Sequence, residues 1–229
     1  MSDRAPTPDG HGPWPVVGTA SVVDAMEGLG VDGVLLSGAL GHGRIVGRAL
    51  TIEVAVESPA PEHEPPIDLW DYLDRAPRGG ILVFATGGRQ VPVAGGATVA
   101  AALARGLAGL VTDGGLRDID EILEFGLPIR YGSVDPRAMR GRSRIAGCGG
   151  TLRFGPVLVA AGDVIVADGD GVVAVPADLA DEVIDRAAAI ERREHLWAQA
   201  TRTSGSIRAG YDLVTRLHGA PHETKEAGK

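Results

Sequence analysis

The sequence predicts an α/β fold with a C-terminal helical extension. Short apolar runs rich in Val, Leu and Ile, which are typical of buried strands, alternate with helix-forming segments through the first part of the chain. Strand-like runs then cluster, and a long segment rich in Ala, Glu and Arg follows them. The 34 glycines among 229 residues indicate many tight turns, and an aromatic content of 4% means that aliphatic side chains build the core.

Local signals place each element in turn. Helix-forming patterns predict helices at residues 21–30, 68–75, 97–107, 118–125 and 177–200. β-rich runs predict strands at residues 44–56, 80–85, 109–112, 157–160, 164–167 and 172–175. Ser21 is the expected N-cap of the first helix, and Gly126 with Pro128 ends the fourth. Residues 168–171 (Asp-Gly-Asp-Gly) predict a hairpin turn rather than a Ca²⁺ loop, because no further carboxylates follow at the required spacing.

These elements form one predicted domain over residues 16–200. Residues 1–15 are polar and rich in Pro and Gly, which predicts a flexible arm, and residues 201–229 predict a C-terminal extension with a disordered tail. We recognise no signal peptide and no apolar run long enough to span a bilayer, so we expect a cytoplasmic protein without a membrane partner. The single cysteine, Cys148, excludes an intrachain disulfide and a cysteine-based zinc site, and it is typical of a reducing compartment.

Charge and residue usage exclude several classes of function. A net charge of -8 argues against a general nucleic-acid-binding protein, because phosphate contacts need clustered cations. Lysine occurs only at Lys225 and Lys229, in the polar tail, which argues against Schiff-base and pyridoxal-phosphate chemistry and removes the lysine of a P-loop. Four arginines do cluster within residues 137–144. A solvated loop or a subunit contact is the favoured interpretation of that cluster, and binding of a small anion is the alternative.

The segment from Gly95 to Glu121 carries the candidate chemistry. Gly95 and Gly96 open a predicted helix, whose first amide groups have no partners and attract an anion, so a small carboxylate could bind there. A plain turn from strand to helix is the alternative. Further on, the predicted strand ends in Asp-Gly-Gly at residues 113–115, and a second helix is predicted to start at Arg117 and Asp118.

Asp118 and Glu121 are three residues apart, which places them on one face of a helix. Two carboxylates there could hold Mg²⁺ or Mn²⁺ with water in the other coordination positions. Arg117 is adjacent and could bind a substrate carboxylate. The same Asp-x-x-Glu spacing is also that of a capping box, in which the two side chains only satisfy the amides of their own helix. Spacing alone leaves both interpretations open.

At these residues the sequence resembles the RraA-like family, named for the regulator of ribonuclease activity A, which includes the 4-hydroxy-4-methyl-2-oxoglutarate aldolases. Lyase members carry Gly, twenty intervening residues, Arg-Asp, two further residues and Glu or Asp; Gly96, Arg117, Asp118 and Glu121 match this spacing. Residues 19–25, 43–51, 106–114 and 162–173 resemble the family's opening helix, first strands, central signature and closing hairpin. Some aldolases of the group have an aspartate at the position of Gly96, so here the second carboxylate must be Glu121.

The resemblance implies a three-layer β/β/α sandwich, similar to swivelling phosphohistidine domains, assembled as a homotrimer or homohexamer with active sites between subunits. It implies that Asp118 binds Mg²⁺ or Mn²⁺ and that Glu121 supports the ion through water. It also implies that Arg117 and the backbone amides of Gly95, Gly96, Ala97 and Thr98 hold the pyruvoyl part of the substrate. Family aldolases use a glutamate from a neighbouring subunit's C-terminal helix, and Glu194 is the nearest match.

The function implied is a metal-dependent lyase that cleaves a C–C bond of a small 2-oxo acid through a pyruvate enolate, with oxaloacetate decarboxylation as a second activity. The alternative is a non-catalytic regulator of ribonuclease activity. The presence of Arg117, Asp118 and Glu121 together favours the lyase, because a protein-binding surface does not need all three residues.

Overall fold

The structure, a computed structural model, describes residues 14–56 and 67–218. It confirms the α/β fold with a C-terminal helical extension. The helices within these residues are α1 (Thr19–Glu27), α2 (Leu69–Asp74), α3 (Gly96–Arg105), α4 (Ile119–Phe125), α5 (Ala180–Ser204) and α6 (Ile207–His218). The strands are β1 (Val34–Ser37), β2 (Leu40–His42), β3 (Ile45–Val56), β4 (Ile81–Ala85), β5 (Pro92–Ala94), β6 (Gly109–Leu116), β7 (Ile129–Val134), β8 (Ser143–Cys148), β9 (Leu152–Phe154), β10 (Val157–Val159), β11 (Val164–Ala167) and β12 (Gly171–Val175).

Ten of these strands form one sheet, in the hydrogen-bonded order β1-β12-β11-β3-β4-β6-β7-β2, with β5 beside β6 and β8 beside β3. The strands β3, β4, β6 and β7 run parallel, and β5 runs parallel to β6. The other neighbours are antiparallel. Strand β3 is 12 residues long, and its first part pairs with β11 while its last part pairs with β8. This strand therefore connects two layers of sheet.

Alternate residues of single strands show how the layers pack, because successive side chains of a strand point to opposite faces. In β4, Val83 lies in the core between the two sheet layers, whereas Phe84 lies in the core beneath α2, α3 and α4. In β11, Ile165 lies between the sheet layers, whereas Val166 packs with α1 and α5. The β/β/α sandwich is thus formed by two sheet layers and α2–α4, and α1 with the first part of α5 covers the outer sheet layer.

Because β3, β4, β6 and β7 are parallel, their carboxyl ends lie at one edge of the sheet. In open α/β sheets this edge is where ligands bind. The segments that leave the edge are residues 86–91 after β4, residues 117–118 after β6 and residues 135–142 after β7. The predicted site residues Arg117 and Asp118 therefore lie where the topology favours a site.

The start of α1 differs from the prediction. The helix begins at Thr19, and Ser21, the predicted N-cap, is buried inside it. The N-cap position is occupied by Gly18, which has no side chain to bond the helix amides. The carboxylate of Asp168 accepts hydrogen bonds from the Thr19 amide at 2.9 Å and the Thr19 hydroxyl at 2.7 Å instead. The cap comes from the predicted hairpin turn between β11 and β12, so the local N-cap signal was wrong.

Strand β6 is longer than predicted. The Asp-Gly-Gly of residues 113–115 continues the strand to Leu116 rather than ending it. The buried carboxylate of Asp113 accepts hydrogen bonds from the amides of Thr86 at 2.6 Å and Gly88 at 2.7 Å, which fixes the loop after β4. A Cβ at Gly114 would lie 2.6 Å from Cγ2 of Thr86, so glycine is needed here for close packing and not for a turn.

The capping contact of Asp168 yields a stability prediction. We expect Asp168→Ala to lower the free energy of unfolding by about 2–3 kcal/mol, because it removes a charged acceptor and leaves buried donors of Thr19 unpaired. Urea unfolding followed by circular dichroism measures this loss. Asp170→Ala is the matched control, since that side chain lies exposed in the same turn. Equal losses for the two variants would contradict the assigned role.

The hydrogen bonds between Asp168 and Thr19 also make the stability of the fold depend on pH. Burial raises the pKa of Asp168, but hydrogen bonds from Thr19 and Asp170 and the charge of Arg44 outweigh burial and hold this pKa below its ordinary value. A carboxyl group whose pKa is lower in the folded state than in the unfolded state stabilises the fold. This contribution is complete above the unfolded-state pKa of about 4 and is lost as the pH falls through the folded-state pKa. The stability gap between the wild type and Asp168→Ala is therefore expected to stay constant near neutrality and to shrink below about pH 4.

Parts of the predicted arm and tail lie outside the described residues, namely residues 1–13 and 219–229. Trp14, at the end of the predicted arm, is fully buried, and its indole donates a hydrogen bond to Asp181 at 2.7 Å. In the C-terminal extension, α6 packs along the last part of α5, where the rings of Trp197 and Tyr211 meet edge to face. Across residues 14–56 and 67–218, none of the helices combines the length and apolar character that crossing a bilayer requires.

Candidate active site

A cleft of about 520 Å³ opens at the carboxyl edge of the parallel strands. One wall is formed by β5, the start of α3 and the turn between β6 and α4. The predicted site residues in this wall are Gly95, Ala97, Thr98, Arg117 and Asp118. The structure thus brings together, in one concave surface, two segments that lie about twenty residues apart in the sequence.

The start of α3 depends on Asp118 for its cap. Gly95 is the N-cap residue and provides no side-chain acceptor. Its carbonyl accepts from the amides of Thr98 and Val99, which closes the first turn. The amide of Gly96 donates to Oδ2 of Asp118 at 3.2 Å. The carboxylate of the residue that precedes α4 therefore lies at the positive end of α3, where the helix dipole favours negative charge.

Asp118 does not form the capping box that its spacing allows. Its side chain makes no cap hydrogen bond to α4, and its backbone has φ 59° and ψ 38°, in the left-handed region. Among the described residues it is the sole non-glycine residue with positive φ. It also precedes α4 instead of lying within it, so the expectation that Asp118 and Glu121 share a helical face was wrong in that detail. A left-handed backbone outlier whose carboxylate faces a cleft indicates a functional position.

Glu121 reaches the same glycine pair from within α4. A Cβ added at Gly96 would overlap Oε2 of Glu121 and lie 2.7 Å from its Cδ. A Cβ at Gly95 would lie 2.5 Å from Oδ2 of Asp118. Both carboxylates thus lie close against the backbone of the glycine pair, and a side chain at either position would displace them. An aspartate at position 96 would need the space that the carboxylate of Glu121 occupies, so Glu121 would have to move.

Arg117 completes the cluster of charges. Its Nε lies 3.4 Å from Oδ2 of Asp118, and its side chain is 42% exposed. The amide of Arg117 donates to the carbonyl of Ala94 at 3.2 Å, so the backbone that carries the guanidinium is tied to the end of β5. The guanidinium is held beside the carboxylate and retains free donors toward the cleft.

The residues present are suited to a hydrated divalent cation. Mg²⁺ is commonly bound through one or two carboxylates, with water and substrate supplying the other ligands. Asp118 and Glu121 are two such carboxylates, both at the surface of the site. Within the part of the chain that the structure describes, no three His, Cys, Asp or Glu side chains group as a closed metal cage. The predicted Mg²⁺ or Mn²⁺ site therefore depends on these two residues and on water.

A second wall of the cleft was missed by the sequence analysis. It comes from α2 and from the loop between β7 and β8, and it contributes Trp70, Ala138, Met139 and Arg140. The available signal was the arginine cluster at residues 137–144, but sequence alone does not show which arginine faces a site. Trp70 is 52% exposed, which is unusual for so large an apolar side chain.

The remaining arginines of that cluster have other roles. Arg137 forms a bidentate ion pair with Asp135. The Nε–Oδ1 distance is 2.9 Å and the Nη2–Oδ2 distance is 2.7 Å. Hydrogen bonds from Arg137 lower the pKa of Asp135 to about 2. The interpretation of the cluster as a solvated loop holds for Arg137, and Arg142 also bonds within the loop, to the carbonyl of Ala138. Arg140 lines the cleft, and the alternative interpretation, binding of a small anion, stays a prediction for it.

Two other predicted residues lie away from the cleft. Cys148 is a free cysteine in β8, and burial raises the pKa of its thiol, which disfavours the reactive thiolate. Glu194 lies exposed on α5 and does not line the cleft of its own chain. Its assignment concerns a neighbouring subunit and stays a prediction.

The fold is a layered α/β sandwich. Two carboxylates and an arginine lie at the carboxyl edge of its parallel strands. A family model described as RraA-like, Aldolase/RraA, matches residues 19–174, and the chain belongs to this family. The resemblance seen in the sequence is thereby confirmed.

Several known proteins are similar to the chain. Protein DlpA of Legionella pneumophila is 28% identical over 180 residues, which make up 77% of this chain and 29% of DlpA, so the chain spans less than a third of that relative's length. A solved structure of an uncharacterized protein from Pseudomonas syringae pv. tomato has 30% identity and a TM-score of 0.73, covering 85% of this chain and 92% of that one. RraAS2 of Streptomyces coelicolor, described as an unusual member of the RNase ES inhibitor RraA protein family, has 28% identity and a TM-score of 0.69, covering 82% and 93%.

Proposed function

We propose that the protein is a divalent-metal-dependent lyase that cleaves a C–C bond of a small 2-oxo acid and releases pyruvate. The observation that carries this proposal is that Arg117 and Asp118 line one cleft with Gly95 at the start of α3, while the carboxylate of Glu121 lies against the neighbouring Gly96. A lyase of this kind needs a group that holds the substrate carboxylate, a site for a cation, and donors for the 2-oxo group. We assign the first role to Arg117, the second to Asp118 with Glu121, and the third to the start of α3.

Each residue has a role that follows from its chemistry. Arg117 binds the substrate carboxylate through paired hydrogen bonds from its planar guanidinium. The positive end of α3 faces the cleft, and the amide of Ala97, in the first turn, orients the anion, whereas the amides of Gly96 and Thr98 already donate to Asp118 and Gly95. Asp118 would hold Mg²⁺ or Mn²⁺, with Glu121 acting through water, and the ion would supply positive charge that stabilises the enolate oxygen.

In the aldol cleavage, the bond between C3 and C4 of a 4-hydroxy-2-oxo acid breaks. The 4-hydroxyl loses its proton to water and becomes the carbonyl of the departing fragment, and the electron pair of the broken bond forms the enolate of pyruvate. A proton from water then adds to C3. Oxaloacetate follows the same course with CO₂ as the departing fragment. Water carries the protons in this scheme, and the residues of the cleft orient the substrate and stabilise charge.

Release of pyruvate tests the proposal directly. Purified protein with Mg²⁺ is expected to release pyruvate from oxaloacetate and from 4-hydroxy-4-methyl-2-oxoglutarate, measured by coupling to lactate dehydrogenase. Reactions without protein correct for spontaneous decarboxylation. A chelator is expected to abolish the enzymatic rate and added Mg²⁺ or Mn²⁺ to restore it. A rate that persists in chelator would contradict the metal-dependent mechanism.

Regulation of a ribonuclease is the second candidate function, because the similar Streptomyces coelicolor protein is named for an RNase ES inhibitor family. This candidate does not require the cleft to bind a cation or to turn over a substrate. Inhibition of purified ribonuclease E that survives Asp118→Asn, together with absence of pyruvate release by the wild type, would favour this candidate over the lyase.

A further inference from the structure

We propose that Trp70 and Met139 form an apolar subsite for the fragment that leaves on cleavage, so that the cleft favours 4-hydroxy-2-oxo acids with an aromatic group at C4. This inference rests on the proposed function and assigns a substrate class to the same site. Its starting point is Trp70, a large apolar side chain that lines the cleft and is 52% exposed. Exposed apolar surface in a concave site is a common mark of ligand binding.

Helix α2 does not need the indole of Trp70 for its own packing. The helix buries Leu73 against the core beneath α2–α4, and Leu69 and Tyr72 pack against the same core. Asp68 caps the helix by accepting from the backbone amide of Trp70 at 2.9 Å, a bond that does not depend on the side chain at this position. The indole of Trp70 therefore faces the cleft from a helix that other residues hold in place.

Met139 extends the apolar surface from the loop between β7 and β8. Its side chain is half-buried and packs against the core beneath α2–α4. Its carbonyl accepts from the amides of Arg142 at 2.8 Å and Ser143 at 3.0 Å, which fixes the loop at this point. An unbranched thioether adapts to irregular apolar groups and makes favourable contacts with aromatic rings. The subsite thus combines the face of an indole from α2 with an adaptable side chain from the loop.

The two walls of the cleft differ in polarity. The charged groups Arg117 and Asp118, to which the pyruvoyl part of the substrate is assigned, lie in the wall that contains the start of α3. The second wall contributes Trp70, Ala138 and Met139. The cleft of about 520 Å³ falls within the range of roughly 300–1,000 Å³ that is typical of small-molecule sites, so it has room for more than a pyruvoyl group. The group attached to C4 is therefore left for the second wall.

Arg140 is the charged residue of the second wall, and its side chain is exposed. A carboxylate that pairs with an exposed guanidinium gains little, because both charges are already solvated. An aromatic ring placed against Trp70 gains from the apolar surface removed from water and from the contact between the rings. The alkyl part of Arg140 adds apolar surface beside them. We therefore expect an aromatic group at C4 to be preferred to a carboxylate.

Cleavage of such a substrate follows the course proposed above. In 4-hydroxy-2-oxo-4-phenylbutanoate the bond between C3 and C4 breaks, the 4-hydroxyl loses its proton to water, and benzaldehyde leaves. The electron pair of the broken bond forms the enolate of pyruvate, which takes up a proton at C3 from water. The reaction is redox-neutral and needs no further reactant.

Three substrates that differ at C4 test the inference. They are 4-hydroxy-2-oxo-4-phenylbutanoate with a phenyl group, 4-hydroxy-2-oxopentanoate with a methyl group and 4-hydroxy-2-oxoglutarate with a carboxylate, and all three release pyruvate on cleavage. With Mg²⁺ present, we expect the phenyl substrate to have the highest kcat/KM, about 10-fold or more above the methyl substrate. Two analogues without the 4-hydroxyl, 2-oxo-4-phenylbutanoate and 2-oxopentanoate, measure binding by calorimetry without turnover.

We expect Trp70→Ala to lower kcat/KM for the phenyl substrate about 10- to 100-fold, mainly through KM, and to change the methyl substrate less than about 2-fold. The Kd of 2-oxo-4-phenylbutanoate is expected to rise by a similar factor. Trp70→Phe is expected to restore most of the loss, because it keeps an aromatic face. Leu123→Ala is the control, since Leu123 is also a large apolar side chain, 46% exposed, but does not line the cleft.

The outcomes separate this inference from the proposed function. Equal losses for the phenyl and methyl substrates, or equal effects of Trp70→Ala and Leu123→Ala, overturn the role of Trp70. Equal use of all three substrates by the wild type, or preference for the carboxylate, leaves the lyase intact and overturns the inference. Binding of 2-oxo-4-phenylbutanoate that depends on Trp70, without pyruvate release from any substrate, supports the subsite and overturns the lyase.

Discussion

Asp118→Asn is expected to lower kcat/KM for metal-dependent pyruvate release by at least about 100-fold, because it removes the negative charge that faces the cation and the start of α3. The free energy of unfolding is expected to change by less than about 1 kcal/mol, because asparagine tolerates the left-handed backbone of this position and its amide oxygen can still accept from Gly96. Steady-state kinetics and urea unfolding measure the two quantities.

The choice of asparagine matters here. Alanine is strained at a backbone with φ 59°. A loss of activity in Asp118→Ala would therefore combine the loss of the carboxylate with a loss of stability. Asp120→Asn is the matched control, because this neighbouring carboxylate is exposed on α4 and does not line the cleft. If Asp118→Asn kept more than half of the wild-type activity, the assignment of Asp118 would be wrong.

Gly95→Ala is expected to lower kcat/KM for pyruvate release about 100-fold, although it removes no polar atom from the site. The new Cβ would lie 2.5 Å from Oδ2 of Asp118 and 3.0 Å from Cγ of Arg117, so both side chains must move. Small displacements of groups that position a substrate can reduce rates by this order. The obstructing atoms belong to partly exposed side chains, so we expect only a small change in unfolding free energy.

Gly28→Ala is the control for that substitution. Gly28 has a helical backbone with φ -62°, and an added Cβ would come no nearer than 3.5 Å to another residue. Activity is expected to be unchanged, with a gain in stability of about 0.4–1 kcal/mol from the less flexible unfolded chain. A Gly95→Ala variant as active as Gly28→Ala would show that the glycine pair does not set the positions of Asp118 and Arg117.

Sequence patterns predicted the elements around the site well, because their signals are local. The buried strand β4, helix α2 with Asp68 as its cap, and helix α3 after the glycine pair all lie close to their predicted positions. The family resemblance, applied to the spacing of Gly96, Arg117 and Asp118, selected Arg117, Asp118 and the loop before α3, which lie in one wall of the cleft. Several short strands, including β5, β7 and β8, had no such signal, since pairing with distant strands defines them.

The errors share a physical cause, which is that distant contacts override local preference. Asp-Gly-Gly at residues 113–115 is typical of a turn, but hydrogen bonds to Thr86 and Gly88 satisfy Asp113 inside a strand. Asp-x-x-Glu is compatible with a capping box, but the left-handed backbone of Asp118 turns its carboxylate to α3. The position of Arg140 at the cleft depends on where the loop between β7 and β8 crosses the sheet, which no local pattern encodes.

A crystal of the protein soaked in Mn²⁺ and pyruvate, with the ion located by its anomalous scattering, tests most directly whether the carboxylates beside the glycine pair form a cation site. We predict an ion bonded to the carboxylate of Asp118, with Glu121 reached through water and the pyruvate carboxylate on Arg117. An empty cleft at saturating Mn²⁺, with Asp118 still bonded to the Gly96 amide and Mn²⁺ found elsewhere or nowhere, would contradict the account.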